Sequence, residues 1–173
     1  MSAPNDSLLS RTYVERRIWQ VLQGVPDPEI PALSVVDLGI VRYARLENEG
    51  MVRVGISPTY SGCPATAFIK ENIVQALRKA GFENIATDEV LAPAWTSDWI
   101  TAEGRRKLRE YGIAPPAEAV SSPRDILRSA PVVHCPRCNS AETSKLSEFG
   151  STPCKALYRC NSCLEPFDYF KCH

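Results

Sequence analysis

The chain has 173 residues, with 20 basic and 20 acidic side chains, a formal net charge of zero and 44% hydrophobic residues. That content excludes wholesale disorder, and the lack of any run near the roughly 18 apolar residues a bilayer requires excludes a membrane helix. Balanced charge argues against a protein built to neutralise phosphates, so neither nucleic acid nor membrane is an expected partner.

The first element is a helix from Thr12 to Val25, where Val14, Ile18, Val21, Leu22 and Val25 form one apolar stripe. Thr12 followed by Glu15 fits a capping box. Pro26, Pro28 and Pro31 then forbid helix and impose a stiff, extended connection. Val35 to Ala44 and Met51 to Ile56 read as strands of a hairpin, joined by Glu47-Asn48-Glu49-Gly50. Pro64 to Ala80 is a second helix, closed by Gly81, and Ile85 to Leu91 a third strand. A short basic helix between Gly104 and Gly112 follows Trp95 and Trp99; these two either anchor a partner or pack in a core. Residues 114–131 are rich in Pro, Ala and Ser and read as a linker. The organisation is therefore α+β: a mixed helix and sheet domain over 1–113, the linker over 114–131, and a β-type ribbon over 132–173, too small to fold on core burial alone.

Cysteine use is regional: six of the seven lie between Cys135 and Cys172. Cys135 and Cys138, then Cys160 and Cys163, form two C-x2-C pairs separated by 21 residues. Each such turn aims two sulfurs at one point, and two turns supply four soft ligands in a tetrahedron, which suits structural zinc. The competing readings are a disulfide-stapled module and a rubredoxin-like or clustered iron site. The opening residues do not read as a signal peptide, so a cytoplasmic protein with reduced thiols is expected. Cys154, Cys172 and His173 are left over, either as small buried groups or as a second metal or transfer site. His134 reads as a surface residue. The ribbon aromatics Phe149, Tyr158, Phe167, Tyr169 and Phe170 read as its small core.

The seventh cysteine stands apart, in Ser61-Gly62-Cys63-Pro64. With Pro64 at the first helical position, Cys63 falls at the N-cap, where unpaired donors and the helix dipole favour a thiolate. Gly62 leaves room for a ligand. Asp27, Glu29 and Asp37 are carboxylates that either converge on Cys63 as helpers or serve only as turn and cap residues. The first domain contains no His, and the chain contains neither a GxxxxGK loop nor a GxGxxG turn after a strand. A self-sufficient hydrolase, kinase or dehydrogenase is disfavoured.

Asp27-Pro28-Glu29-Ile30-Pro31, Val35 to Val41 and Gly62-Cys63-Pro64 resemble the iron–sulfur cluster assembly domain typified by SufT. With Pro93-Ala94-Trp95, Gly104 to Leu108 and the final Phe170-Lys171-Cys172-His173, nearly the whole chain is similar to the PaaD family. Those proteins are accessory subunits of the bacterial phenylacetyl-CoA epoxidase system, which has a di-iron oxygenase and a reductase carrying flavin and a [2Fe–2S] cluster. The resemblance implies a non-enzymatic factor for phenylacetate degradation that helps mature iron or iron–sulfur centres, with Cys63 as the transfer ligand. One thiolate cannot hold a cluster that takes four protein ligands, so transient holding would need a second copy, a partner or the ribbon. A homodimer bridged through Cys63, the oxygenase or reductase subunits, and the iron–sulfur assembly machinery are the implied partners. Two other readings stand beside it: a zinc-ribbon adaptor bridging oxygenase and reductase, and a thiol–disulfide or electron-transfer protein.

Overall fold

The structure is a computed structural model that describes residues 6–60, 62–116 and 132–171. It divides into two compact units, Met1–Trp95 and Thr96–His173.

In the N-terminal unit the first helix, α1, runs Asp6–Gln23. Its buried stripe is Ile18 and Leu22, continued by Val25. The capping box is not formed, because the helix begins six residues before Thr12. Glu15 instead accepts a hydrogen bond from the Leu46 N–H at 3.4 Å. The proline segment is not an extended connection. Asp27 folds it back, its Oδ1 accepting from the N–H groups of Glu29 and Ile30 at 2.9 and 2.8 Å, and Pro26 bridges Ser34.

The expected strand from Val35 is also shorter than its apolar pattern suggests. Residues 35–39 are turns, closed by the Leu38 N–H on the Ser34 carbonyl and the Gly39 N–H on the Val36 carbonyl. Asp37 drives this: its carboxylate accepts from the Ser34 N–H at 3.0 Å and from Gln23 Nε2 at 2.9 Å, while its own N–H donates to Ser34 Oγ. Gly39 takes φ of 66°, a conformation glycine adopts without steric cost. Val35, Leu38 and Ile40 are buried all the same, so the run of apolar residues reflects burial and not strand.

Strand β1 is Val41–Leu46 and β2 is Val52–Ile56, an antiparallel pair joined by a single 3-10 turn. Helix α2, Ala65–Lys79, then returns the chain to β3, Ile85–Glu89, parallel to β2. The sheet order is β1-β2-β3, and α1 packs on β1 and α2. Ile69, Ile73 and Leu77 from α2 meet the same core as Val52, Val54 and Ile56 from the central strand, all 4% exposed or less.

Tyr43 lies opposite Gly55 across β1 and β2, and its ring covers the glycine. The Tyr43 hydroxyl donates to Asp88 Oδ2 on β3 at 2.8 Å, and Arg53 on β2 pairs with the same carboxylate at 3.1 Å. One Tyr–Asp–Arg group therefore ties all three strands.

The C-terminal unit begins with α3, Ala102–Glu110, capped by Thr101, whose hydroxyl accepts from the Gly104 N–H at 2.9 Å. Gly112, at φ of 89°, ends it as expected. Four strands follow: β4 at Ile113–Ala114, β5 at Thr143–Ser147, β6 at Lys155–Cys160 and β7 at Pro166–Phe170. They form one sheet in the order β4-β7-β6-β5. Ile113 and Ala114, at the end of the expected first domain, pair with Asp168 and Tyr169 inside the ribbon sheet. Most of the expected linker, 117–131, lies outside the described residues. Phe167, Tyr169 and Phe170 are buried and Tyr158 packs against the cluster, but Phe149 is 63% exposed, with Lys171 Nζ 4.2 Å above its ring. Among the described residues no helix is long and apolar enough to cross a membrane.

A methyl group on Gly55 would lie 2.6 Å from Tyr43 Cδ1 and closer still to Cε1. Gly55→Ala should lower stability by about 1–3 kcal/mol through this overlap, read as a lower denaturation midpoint at unchanged slope. Because the clash is with one ring, combining it with Tyr43→Leu should cost less than the sum of the two single changes.

Candidate metal centre and the isolated thiol

The two C-x2-C turns are built alike. In the first, the Asn139 N–H donates to the Cys135 carbonyl and the Cys135 N–H to the Ser140 carbonyl, both at 2.9 Å. In the second, the Cys160 N–H donates to the Glu165 carbonyl at 2.9 Å, and the Cys163 N–H to Cys160 Sγ at 3.4 Å. The residue after each pair, Asn139 and Leu164, has a positive φ of 62° and 64°. That left-handed step turns the chain away once its two sulfurs are aimed. The turns are tied to each other by Ser140 Oγ and Ser162 Oγ at 2.8 Å and by an Arg137–Glu165 ion pair at 2.7 Å.

All four sulfurs lie within 4.8 Å of one another. Cys135 and Cys163 Sγ are 3.7 Å apart, and Cys138 and Cys160 Sγ 3.5 Å. A disulfide needs about 2.05 Å, and the six described cysteines are free. A tetrahedron with Zn–S bonds of about 2.3 Å has edges near 3.8 Å, so the donor set fits zinc. Two ligands are buried and two exposed, as for a site at the rim of a small sheet.

The cluster divides its protons unevenly. The Cys160 thiol is pulled down to about 6, chiefly by the Cys163 backbone N–H and then by that of Ser162. Cys138 is pushed up to about 12: the Ser140 N–H favours its thiolate, but is outweighed by hydrogen bonding to Cys160, burial, and the sulfurs of Cys163 and Cys135. Cys163 is also raised, the Glu165 N–H being outweighed by burial and the neighbouring sulfurs. Near neutral pH the metal-free cluster thus offers Cys160 as a thiolate and holds protons on Cys138 and Cys163.

The second expected site, Cys154 with Cys172 and His173, is described only in part. Cys154 is buried at the start of β6, with Thr152 Oγ1 at 3.0 Å from its sulfur. Six residues of extended chain, about 20 Å, carry it away from Cys160. Cys172 and His173 lie outside the described residues. His134 is exposed, Nδ1 3.1 Å from the Asn139 carbonyl, and takes no part in the cluster.

In the N-terminal unit α2 starts at Ala65, with Pro64 as its N-cap at φ −66° and no side-chain cap. Cys63 therefore lies one residue further out than expected. Its carbonyl accepts from the Thr66 N–H at 3.1 Å and its N–H donates to the Tyr60 carbonyl at 3.2 Å, so the backbone is fixed while the half-buried sulfur is not used in capping. Gly62, at φ of 80°, has open space where a side chain would be. Asp27 and Asp37 are buried and serve the turns described above, and Glu29 is half-buried. Among the described residues these carboxylates and Cys63 do not form a ligand cluster. One feature escapes sequence reasoning: Ser57, at the exit of β2 into the loop leading to Cys63, is 1% exposed and its hydroxyl has no partner among the described residues. Ser57-Pro58 reads only as a turn, so no pattern singles it out.

Comparison with known proteins places both halves. The family described as PaaD zinc beta ribbon domain matches residues 119–171, and that described as iron–sulfur cluster assembly protein matches residues 15–86. A protein from Escherichia coli, named as one of the subunits of 1,2-phenylacetyl-CoA epoxidase, is 52% identical over 155 residues, covering 90% of this chain and 91% of that protein. An Fe-S protein maturation auxiliary factor from Porphyromonas gingivalis is 32% identical over 95 residues, 54% of this chain and 90% of the relative. The crystal structure of a DUF59 domain of unknown function from Bacillus anthracis overlays with a TM-score of 0.54 at 21% identity, covering 58% of this chain and 96% of that one; it shares the fold.

Filling the cluster with zinc must expel protons from at least Cys138 and Cys163 at pH 7. Affinity should therefore rise with pH, by at least about hundredfold per unit between pH 7 and 8, and fall more steeply below about pH 6, where Cys160 protonates as well. Competition against a chromophoric chelator at several pH values measures this; a flat profile would show that the thiols are not exchanging protons for metal.

Proposed function

The chain belongs to the PaaD family, and we propose that it is a non-enzymatic maturation factor assisting iron or iron–sulfur centre assembly in a phenylacetyl-CoA epoxidase system. The observation that carries this reading is the union, in one chain, of an iron–sulfur assembly domain and a four-cysteine ribbon. Relatives of the N-terminal half alone are named as maturation auxiliary factors. The ribbon is a further module in the same chain.

In this reading Cys135, Cys138, Cys160 and Cys163 hold a structural zinc that supplies the ribbon with folding energy. Cys63 is the transfer ligand. The support for it is local: a half-buried sulfur, a rigid backbone turn before α2, and open space at Gly62. Asp27 and Asp37 help by holding the turns of residues 27–40, and Glu29 is the third helper. Iron, as a cluster or as a single ion, is cargo. One sulfur leaves most of its coordination to be completed by another protein, so the cargo passes through a complex with the oxygenase or reductase, the assembly machinery or a second copy of this chain. The work is done in the cytoplasm, where the thiols stay reduced. Cys154, Cys172 and His173 carry no role in this scheme.

The adaptor reading makes the opposite prediction for one atom. In cells relying on the variant Cys63→Ser, the epoxidase should contain as little iron as in cells lacking the protein, while the variant keeps its zinc and still binds its client. Full iron content and full activity with Cys63→Ser would remove the transfer role and leave a zinc-ribbon adaptor.

A further inference from the structure

We propose that the four-cysteine cluster is also a peroxide-sensitive switch, in which Cys138 and Cys163 take the oxidant and Cys160 and Cys135 close disulfides with them across the two turns. The inference rests on the zinc reading above and is independent of any role for Cys63.

A redox-responsive cysteine needs a thiolate, access for the oxidant, and a second thiol close enough to trap the first oxidation product. The cluster meets all three conditions and divides them among its members. Its sulfurs are thiolates whenever they hold a metal, because a thiol must lose its proton to ligate. Each turn contributes one cysteine that an oxidant can reach and one that it cannot. Cys138 and Cys163 are exposed, whereas Cys135 and Cys160 are 1% and 0% exposed. Two short contacts run from turn to turn, each joining an exposed sulfur to a buried one. Cys138 Sγ lies 3.5 Å from Cys160 Sγ, and Cys163 Sγ 3.7 Å from Cys135 Sγ. The Ser140–Ser162 and Arg137–Glu165 contacts hold the turns in this apposition, so the trapping sulfur is in place before the oxidant arrives. Cys154 and Cys63 each lack one condition. Cys154 is 4% exposed, and the unit that carries Cys63 contains no second cysteine.

The chemistry follows from these positions. The Cys138 thiolate attacks one oxygen of a hydroperoxide, breaking the O–O bond, displacing hydroxide and becoming a sulfenic acid. The Cys160 thiolate then attacks the sulfenic sulfur, forming the S–S bond and expelling a second hydroxide. Two electrons pass from the sulfurs to the peroxide, and two protons from solvent turn the hydroxides into water. Cys163 and Cys135 repeat the sequence with a second peroxide. Closing each pair shortens its S···S distance to about 2.05 Å and removes two ligands, so no thiolate remains to hold the ion. Trapping by the neighbouring sulfur also stops oxidation at the disulfide, before the irreversible sulfinic stage. A small thiol reverses it by exchange.

The test treats the full-length protein, isolated without air, with hydrogen peroxide, and reads zinc release with a chromophoric chelator. One zinc should be lost for every two peroxides consumed, and dithiothreitol with added zinc should restore it. Cys63→Ser should behave the same. Trypsin cuts after Arg137, Lys145, Arg159 and Lys171, so Cys135, Cys138 and the Cys160–Cys163 turn fall on segments 129–137, 138–145 and 160–171. Without reduction, closure across the turns joins all three segments into one species. Closure within each turn joins only the first two and leaves the third alone with an internal bond. A protein isolated without zinc overturns the zinc reading and this proposal with it. Zinc that is present but kept in millimolar peroxide overturns this proposal alone, as do disulfides within the turns, sulfinic acids in place of disulfides, or release that requires Cys63.

Discussion

The C-terminal unit depends on holding four sulfur atoms within 4.8 Å of one another. Unaided, that arrangement is unfavourable: thiolates repel, and keeping protons on Cys138 and Cys163 gives up charge that a metal would stabilise. The surrounding core is small, and two of its members, Cys135 and Cys160, are themselves ligands. The sheet is finished at both ends of the same centre, since Cys160 closes β6 and Glu165, which accepts its N–H, leads into β7. On the proposed reading strand pairing, core and ligand geometry are one cooperative event, driven by the affinity of a divalent ion for four thiolates.

The N-terminal unit is held by the opposite physics. Its order comes from apolar burial between α1, α2 and a three-stranded sheet, and among the described residues its buried polar side chains, Ser57 apart, lie in the segment 26–40. There two buried aspartates commit their oxygens to backbone N–H groups, which removes the desolvation penalty those groups would otherwise incur. Residue types that elsewhere ligate metal are consumed here by turn building. Ser57 is the exception, a buried hydroxyl left unsatisfied on the way to Cys63.

What is legible in the sequence follows from how local each signal is. The C-x2-C pairs are readable because ligand spacing is set within four residues, and the hairpin and α2 because their patterns repeat over whole elements. Segment 35–39 reads as strand but is turn, since buried apolar residues look the same in both until the Ser34–Asp37 bonds are known. The start of α1 is placed late because the apolar stripe begins after the helix does. Trp95 cannot be assigned from sequence; it is buried, its Nε1 donating to the Leu38 carbonyl at 3.0 Å, a contact across 57 positions that no local pattern encodes. The place of Ile113 and Ala114 in the ribbon sheet is hidden for the same reason, since their partners are more than fifty residues away.

The contrast between the two thiol environments bears on mechanism. A sulfur placed among three others gives a closed tetrahedral site, suited to retaining a metal and offering no open position for exchange. A sulfur without a ligand cluster around it among the described residues of its own unit cannot by itself retain iron, because too few bonds offset the cost of stripping the ion of its existing ligands. Retention and transfer therefore demand incompatible coordination, and on the proposed reading the chain keeps them on different residues. On the proposed reading, the poverty of ligands around Cys63 is what allows cargo to leave: a partner supplying the missing donors gains nearly all of the coordination energy, so the direction of transfer is set by the acceptor.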